Sequence, residues 1–236
     1  MSKATAARIP PATAPANDHA PPRPAGFGVP HRAAREIGVR ALDIVVASVA
    51  LVLLAPVMLL VALVIVALDP GPVLFRQNRI GRDGAQFGCL KFRTMVVDAE
   101  KRLARLLAED PAAAREWAET QKLRRDPRVT PIGDFLRRTS LDELPQLFNI
   151  LAGQMSLVGP RPIVEDEIPR YGERFALYCQ VRPGLTGLWQ ISGRSDVRYF
   201  ERVLLDARYV SSRTLVRDVR IILLTVPRVL AARGSC

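Results

Sequence analysis

The run Ile44-Val45-Val46-Ala47-Ser48-Val49-Ala50-Leu51-Val52-Leu53-Leu54-Ala55-Pro56-Val57-Met58-Leu59-Leu60-Val61-Ala62-Leu63-Val64-Ile65-Val66-Ala67-Leu68 decides what kind of fold this chain can have. Apart from Ser48 and Pro56, it holds only alanine, valine, leucine, isoleucine and methionine. As one helix it would be roughly 37 Å long at 1.5 Å per residue, more than the ~30 Å hydrocarbon core of a bilayer, so it enters a membrane. Pro56 divides it into halves of about 12 residues, each too short to span alone. Because proline kinks a helix, a segment that dips in and returns to the same face is open beside a kinked helix that spans. Arg32, Arg35 and Arg40 precede the run and Arg76, Arg79 and Arg82 follow it. This symmetry selects no orientation for a spanning helix and fits two cytoplasmic ends. On physics alone the kinked spanning helix is the first reading, spanning being the commoner use of such a run.

Upstream, residues 1–31 are rich in alanine and proline and read as a disordered tail. They lack the apolar stretch of a secretory signal, so no cleaved leader is expected. Residues 32–72 read as the membrane-associated part and 73–236 as a cytosolic domain with interfacial helices. Downstream of Asp69-Pro70-Gly71-Pro72, residues 73–80 and 86–92 read as a β-hairpin closed by Gly81-Arg82-Asp83-Gly84, with Asp-Gly as the turn signal. The second strand runs into Lys91-Phe92-Arg93-Thr94-Met95, which on its own reads equally as an ordinary strand with its cations on a wet face. Residues 97–122 look helical, broken near Asp110-Pro111, with Leu103, Leu106, Leu107 and Trp117 on one side, suited to packing or to resting on the membrane surface. A short helix then carries Arg137 and Arg138. Residues 181–194 read as a glycine-punctuated loop rather than a regular element. The apolar stretch 215–230, with Arg217, Arg220 and Arg228, is too short to span and reads as an interfacial helix. The fold class is therefore α+β, mainly helical: a re-entrant membrane helix hairpin or kinked span, a small β-hairpin and interfacial amphipathic helices around a cytosolic core.

Thr139-Ser140-Leu141-Asp142-Glu143-Leu144-Pro145-Gln146 places two adjacent carboxylates between paired arginines upstream and the turn Gly159-Pro160-Arg161-Pro162 downstream. Ser140 and Glu143 fit a capping box, with Pro145 in or just after the first turn and Leu144, Leu147, Phe148 and Leu151 on a buried face. Asp142 would then sit at the positive end of a helix dipole. Taken alone, Asp142 and Glu143 read as helix-start residues.

Bulk composition narrows the chemistry. The 236 residues carry a net charge of +11, and 49% are hydrophobic. Such a balance calls for an anionic partner: nucleic acid, anionic lipid headgroups or a phosphorylated substrate. The cations are dispersed, with little aromatic interleaving, which disfavours nucleic acid. Cys89, Cys179 and Cys236 are far apart and read as reduced thiols. His19 and His31 both lie ahead of any core, which disfavours a Ser-His-Asp triad or a histidine-ligated zinc. Acid–base and nucleophilic work falls mainly to carboxylates. With Lys91, Arg93, Arg137, Arg138 and Arg161 as cations, the set suits phosphoryl chemistry on a lipid-borne substrate. Arginine forks hold phosphate oxygens, and a carboxylate can bind Mg²⁺ or attack phosphorus.

Lys91-Phe92-Arg93-Thr94-Met95, Thr139 to Leu147, Met155-Ser156-Leu157-Val158-Gly159-Pro160-Arg161-Pro162 and Arg182-Pro183-Gly184-Leu185-Thr186-Gly187-Leu188-Trp189-Gln190 together resemble the bacterial sugar transferases, monotopic polyprenyl-phosphate phosphoglycosyl transferases. The resemblance covers roughly residues 38–232. It implies transfer of a sugar-1-phosphate from a UDP-sugar to undecaprenyl phosphate, with release of UMP and a need for Mg²⁺, at the cytoplasmic face of the bacterial inner membrane. It implies Asp142 as nucleophile and metal ligand, Glu143 completing the dyad, and Lys91, Arg137 and Arg161 as phosphate holders. Arg93 and Gln146, in the same motifs, join them as substrate-binding candidates. It also implies a re-entrant helix broken at Pro56, and moves the preference to that topology. Ala55 stands where serine is common in the family, and Asp134 where a basic residue is common. The N-terminal transmembrane helices of larger relatives are expected to be absent. Neither nucleic acid nor a specific sugar is indicated; a homo-oligomer stays open. The rival reading is a non-enzymatic membrane-surface scaffold that binds anionic lipid.

Overall fold

The computed structural model describes residues 30–120, 123, 125–193 and 197–230; most of the proline-rich tail, Arg194 and Cys236 lie outside the described residues. The first element, α1 (Pro30–Leu68), begins inside the stretch read as tail and continues through Pro56 as one helix. By length and composition it is apolar enough to cross a membrane. Val52 and Leu53 are 75% and 71% exposed, so this is no ordinary core helix.

The halves of α1 on either side of Pro56 are both tied to the folded body. Ahead of the proline, Arg40 donates to the carbonyls of Ile150 and Leu151 at 2.6 and 2.7 Å. Asp43, buried, accepts from the Ser156 hydroxyl and the Leu157 amide at 3.0 and 2.8 Å. Beyond it, Val61 and Ile65 are buried with Phe92 and Leu136. Just past the helix end, Arg93 pairs with Asp69 at 3.2 Å.

The hairpin forms as the Asp-Gly signal predicts. β1 (Leu74–Ile80) pairs antiparallel with β2 (Gln86–Phe92), from Leu74 opposite Phe92 to Ile80 opposite Gln86. Asp83 and Gly84 carry φ of 58° and 74° at the bend, the positive values that such a tight turn requires. The wet-face reading of Lys91 and Arg93 fails, since their side chains are only 24% and 7% exposed. The helical stretch after the hairpin is broken where Pro111 predicts, giving α2 (Ala99–Glu109) and α3 (Pro111–Thr120). α4 (Pro131–Thr139) is capped by the Thr130 hydroxyl, which accepts from the Gly133 amide at 3.0 Å.

The capping box at Ser140 does not form. Ser140 instead closes α4 in the left-handed region (φ 58°), its side chain capping nothing. Leu141–Glu143 is a 3₁₀ turn, and α5 (Gln146–Leu151) starts only after Pro145. The dipole argument for Asp142 lapses with that helix.

β3 (Ser156–Val158) pairs in parallel with β4 (Gly184–Thr186). The glycine-punctuated loop is thus partly regular, and α8 (Leu188–Ile191) follows the strand directly. Between β3 and β4 lie the short α6 (Ile168–Tyr171) and α7 (Phe175–Tyr178). α9 (Tyr199–Ser211) and α10 (Leu215–Leu230) complete the body. The chain is mostly helical with small sheets. Its main core joins Ala47 of α1 to Leu147, Ile150, Met155, Tyr209 and Ile221, from α5 through α10. Arg213 meets Glu36 of α1 at 3.1 Å and Asp218 of α10 at 3.5 Å, a polar link between the two helices that Tyr209 joins by donating to Asp218 at 2.7 Å.

Candidate active site

The dyad is held at the meeting point of β2, α4 and α5. Asn149, buried on α5, accepts from the Leu90 amide at 2.9 Å and donates to the Gly88 carbonyl at 2.8 Å. That two-way bond fixes the exposed edge of β2 against α5, and Lys91 is the next residue along. Its ammonium lies 2.7 Å from Glu143 Oε1 and 3.8 Å from Asp142 Oδ2. Ser140 supplies the tight reversal that brings both carboxylates to this lysine. A serine held at positive φ costs about 1 kcal/mol or more, a strain that recurs at functional sites.

On the other flank, α4 crosses the end of the Lys91-to-Met95 segment so closely that a Cβ at Gly133 would lie 2.0 Å from the Thr94 carbonyl oxygen. Only glycine fits there. The crossing lets Arg137 Nε donate to Thr94 Oγ1 at 2.9 Å, and its charge reaches Asp142.

Arg161 is presented by a clamped turn. The Gly159 amide donates to Thr186 O at 2.9 Å, and the Gly184 amide to Pro160 O at 2.8 Å. From the hairpin, Arg79 donates to Pro162 O at 3.0 Å and the Ile80 amide to Ile163 O at 2.9 Å. A Cβ at Gly159 would meet Arg182 O at 2.5 Å and Gly184 N at 2.7 Å. Gly159→Ala is expected to lower stability by about 1–3 kcal/mol through forced separation of β3 from β4. Turnover should fall with it as Arg161 shifts; thermal unfolding and transfer rates check both.

The two carboxylates are driven to different states. Burial pushes Asp142 up to about 6, with Glu143 adding to the rise and Lys91 and Arg137 opposing it. Burial would raise Glu143 too, but the hydrogen-bonded Lys91, with Arg161 and Arg79, outweighs it and holds that carboxyl below the ordinary range. Glu143 is thus the standing anion that anchors Lys91. Asp142 ionises closer to neutrality than an ordinary carboxylate.

The other candidates are placed differently. Arg93 is turned onto Asp69, also bonding its backbone carbonyl. Gln146 is buried at the start of α5. Arg138 pairs with Asp134 at 2.8 Å, so the aspartate at that position is spent on its own helix. Asn149, Thr94 and Arg79 escaped the sequence reading, because their roles depend on contacts between distant segments.

A divalent cation fits this donor set. Two adjacent carboxylates share one contact lysine, leaving oxygen lone pairs free on both. Among the described residues no group of three or more His, Cys, Asp or Glu forms a cage. Mg²⁺ suits such a site, since it takes one or two carboxylates and completes its shell with water and phosphate oxygens.

The family model described as "Bacterial sugar transferase" matches residues 34–232. The chain is 48% identical over 199 residues to the "Exopolysaccharide production protein ExoY" of Sinorhizobium fredii, covering 84% of this chain and 88% of that protein. It is 42% identical to the "UDP-glucose:undecaprenyl-phosphate glucose-1-phosphate transferase" of Caulobacter vibrioides, over 86% and 74% of the two chains. It is 47% identical to the "Undecaprenyl-phosphate galactose phosphotransferase" of Salmonella typhimurium, over 83% of this chain but 41% of that longer protein.

Proposed function

The chain belongs to the bacterial sugar transferase family, and from that premise we propose that it transfers a sugar-1-phosphate from a UDP-sugar to undecaprenyl phosphate, releasing UMP and initiating exopolysaccharide or a related glycan. It is a phosphoglycosyl transferase. The observation that carries the mechanism is the buried Asp142, poised near neutrality beside a permanently ionised Glu143 and one shared lysine.

In the first step an Asp142 oxygen donates a lone pair to the sugar-bearing phosphorus, and an O–P bond forms. The bond from that phosphorus to the bridging oxygen breaks, and its electron pair leaves on UMP. In the second step an oxygen of undecaprenyl phosphate attacks the same phosphorus, and the acyl-phosphate bond breaks with its pair returning to the carboxylate. Neither step requires a proton from the enzyme. Lys91, Arg137 and Arg161 hold phosphate oxygens and offset charge as it spreads in the transition state. Glu143 fixes Lys91, and Arg93 braces β2 against the end of α1. Asp142, with Glu143 beside it, would hold Mg²⁺, which supplies charge neutralisation on the phosphates when bound.

The same reading makes residues 32–72 a re-entrant anchor in the cytoplasmic membrane, 73–236 a cytosolic catalytic part, and α10 an interfacial helix. Both halves of α1 pack on the one folded body that carries the site, which supports two ends on one side: the body cannot stand on both faces of a bilayer. Cysteines at the exposed positions Ile37 and Asn78, in a Cys236→Ser background, are expected to react with an impermeant maleimide from the cytoplasmic side alone. Labelling of one from each side would overturn the re-entrant reading.

The activity is tested by incubating purified protein with a radiolabelled UDP-sugar, undecaprenyl phosphate and Mg²⁺. Label should move into the organic phase with one UMP released per lipid product. No transfer from any UDP-sugar, with intact lipid binding, would leave the scaffold reading in place.

A further inference from the structure

Beyond the dyad, a second group of cations gathers on the far side of Arg161. The Trp189 indole of α8 is flanked by two guanidiniums, that of Arg202 on α9 at 4.2 Å from the ring centroid and that of Arg161 at 5.9 Å. Among the described residues neither side chain has an ion pair, and Arg202 Nε is buried without a hydrogen-bond partner. Trp189, only 6% exposed, also leaves its Nε1–H without an acceptor. Two buried donors without acceptors, beside two like charges, form an arrangement that is costly unless an anion completes it. The carboxylates nearby do not serve. Asp206 accepts from Tyr171 at 2.9 Å, and Glu167 faces Arg79 at 3.8 Å. Burial pushes Asp206 up to about 7, so at neutral pH it is only about half ionised and, although its charge reaches Arg202, it offsets only part of the positive charge there.

We propose that Arg202 and Trp189, together with Arg161, bind the phosphate of the nucleoside monophosphate that departs in the first step. The inference rests on the reading of the reaction given above. Arg161 connects the two regions, since its charge is felt both by Glu143 and by Arg202. A donor with two phosphates needs such adjoining sites, one at Asp142 for the phosphorus under attack and one beside it for the phosphate that leaves. The acceptor's single phosphate does not. On the α9 side, Arg202 directly precedes Val203, which packs with Ile80, Tyr171 and Tyr178 in a cluster without α1, whereas Leu188 and Ile191 beside Trp189 pack on the core that includes Ala47 of α1. A lipid-borne phosphate would arrive along α1.

The test uses the full chain in nanodiscs, with UMP as the probe. UMP affinity is measured by calorimetry and by product inhibition, for the parent, Arg202→Met, Arg202→Lys and Trp189→Phe. Loss of a charge-assisted contact predicts that Arg202→Met weakens UMP and raises KM for the UDP-sugar by about tenfold or more, with KM for undecaprenyl phosphate unchanged. Arg202→Lys should recover part of the loss, and Trp189→Phe, which keeps an aromatic face but removes the N–H together with the five-membered ring, should show a smaller one. Unchanged UMP affinity in Arg202→Met and Trp189→Phe, or an effect confined to undecaprenyl phosphate, would overturn the proposal while parent activity stands. A parent that neither transfers sugar phosphate nor binds UMP would instead remove the reaction on which it rests.

Discussion

Asp142→Asn is expected to lower transfer by on the order of 10⁴-fold or more, as loss of a nucleophile does elsewhere. The same change should make the protein more stable. The Asp142 carboxyl titrates near 6 in the folded chain against an ordinary value of 3.8. Below the lower value both folded and unfolded forms are protonated and nothing is lost. Between the two the folded form keeps a proton that the unfolded form has released, so stability falls as pH rises. Above about 6 the cost is complete. An asparagine escapes it, so in magnesium-free buffer at pH 8 the variant should gain roughly 1–3 kcal/mol over the parent, the gain fading toward pH 4. Thermal unfolding across that range checks the sign. A residue that served only the fold would show the opposite pattern, with stability lost on substitution and activity falling only as far as folding did.

Lys91→Met removes the cation that faces both carboxylates and, on the proposed mechanism, one of the groups that hold phosphate. Loss of a preorganised charge of this kind costs about 10²–10³-fold in kcat. It also leaves Asp142 and Glu143 adjacent without the cation they share, so Asp142 should ionise only at higher pH. The rising limb of a pH–rate profile for the first step should therefore move to higher pH in Lys91→Met. Lys91→Arg should recover only part of the rate, since the broader guanidinium cannot reproduce a point contact 2.7 Å from Glu143. A rate loss with an unmoved profile would mean that Lys91 binds substrate without setting the state of Asp142.

Much of this architecture was legible because its causes are local. A long run of apolar residues makes a helix apolar enough to cross a membrane, and α1 ends at Leu68 where that run ends. Asp83-Gly84 closes the hairpin because those residues tolerate positive φ. Pro111 starts a new helix where it interrupts the old one. The failures came where tertiary contact overrides local preference. Ser140 and Glu143 carry the spelling of a capping box, yet α4 already uses Ser140 as its C-cap, and Pro145 delays α5. Gly184–Thr186 is only three residues long, and its partner strand lies more than twenty residues away, so no periodicity marks it. Lys91 and Arg93 alternate as surface cations would. Only the packing of α5 and α1 on the two ends of β2 turns one to the dyad and the other to Asp69. The dyad and its lysine were readable from motif. Trp189 was quoted within one, but Arg202 lies outside all four, and their meeting depends on α9 crossing α8.

The most direct measurement is mass analysis of Asp142 itself. Purified chain is incubated with a UDP-sugar and Mg²⁺ in the absence of undecaprenyl phosphate, then digested. The peptide containing Asp142 is expected to gain the mass of one sugar-phosphate, with an equal amount of UMP released, and to lose it when undecaprenyl phosphate is added. Turnover of the same preparation with no modified Asp142, or with the sugar-phosphate on another residue, would contradict the account.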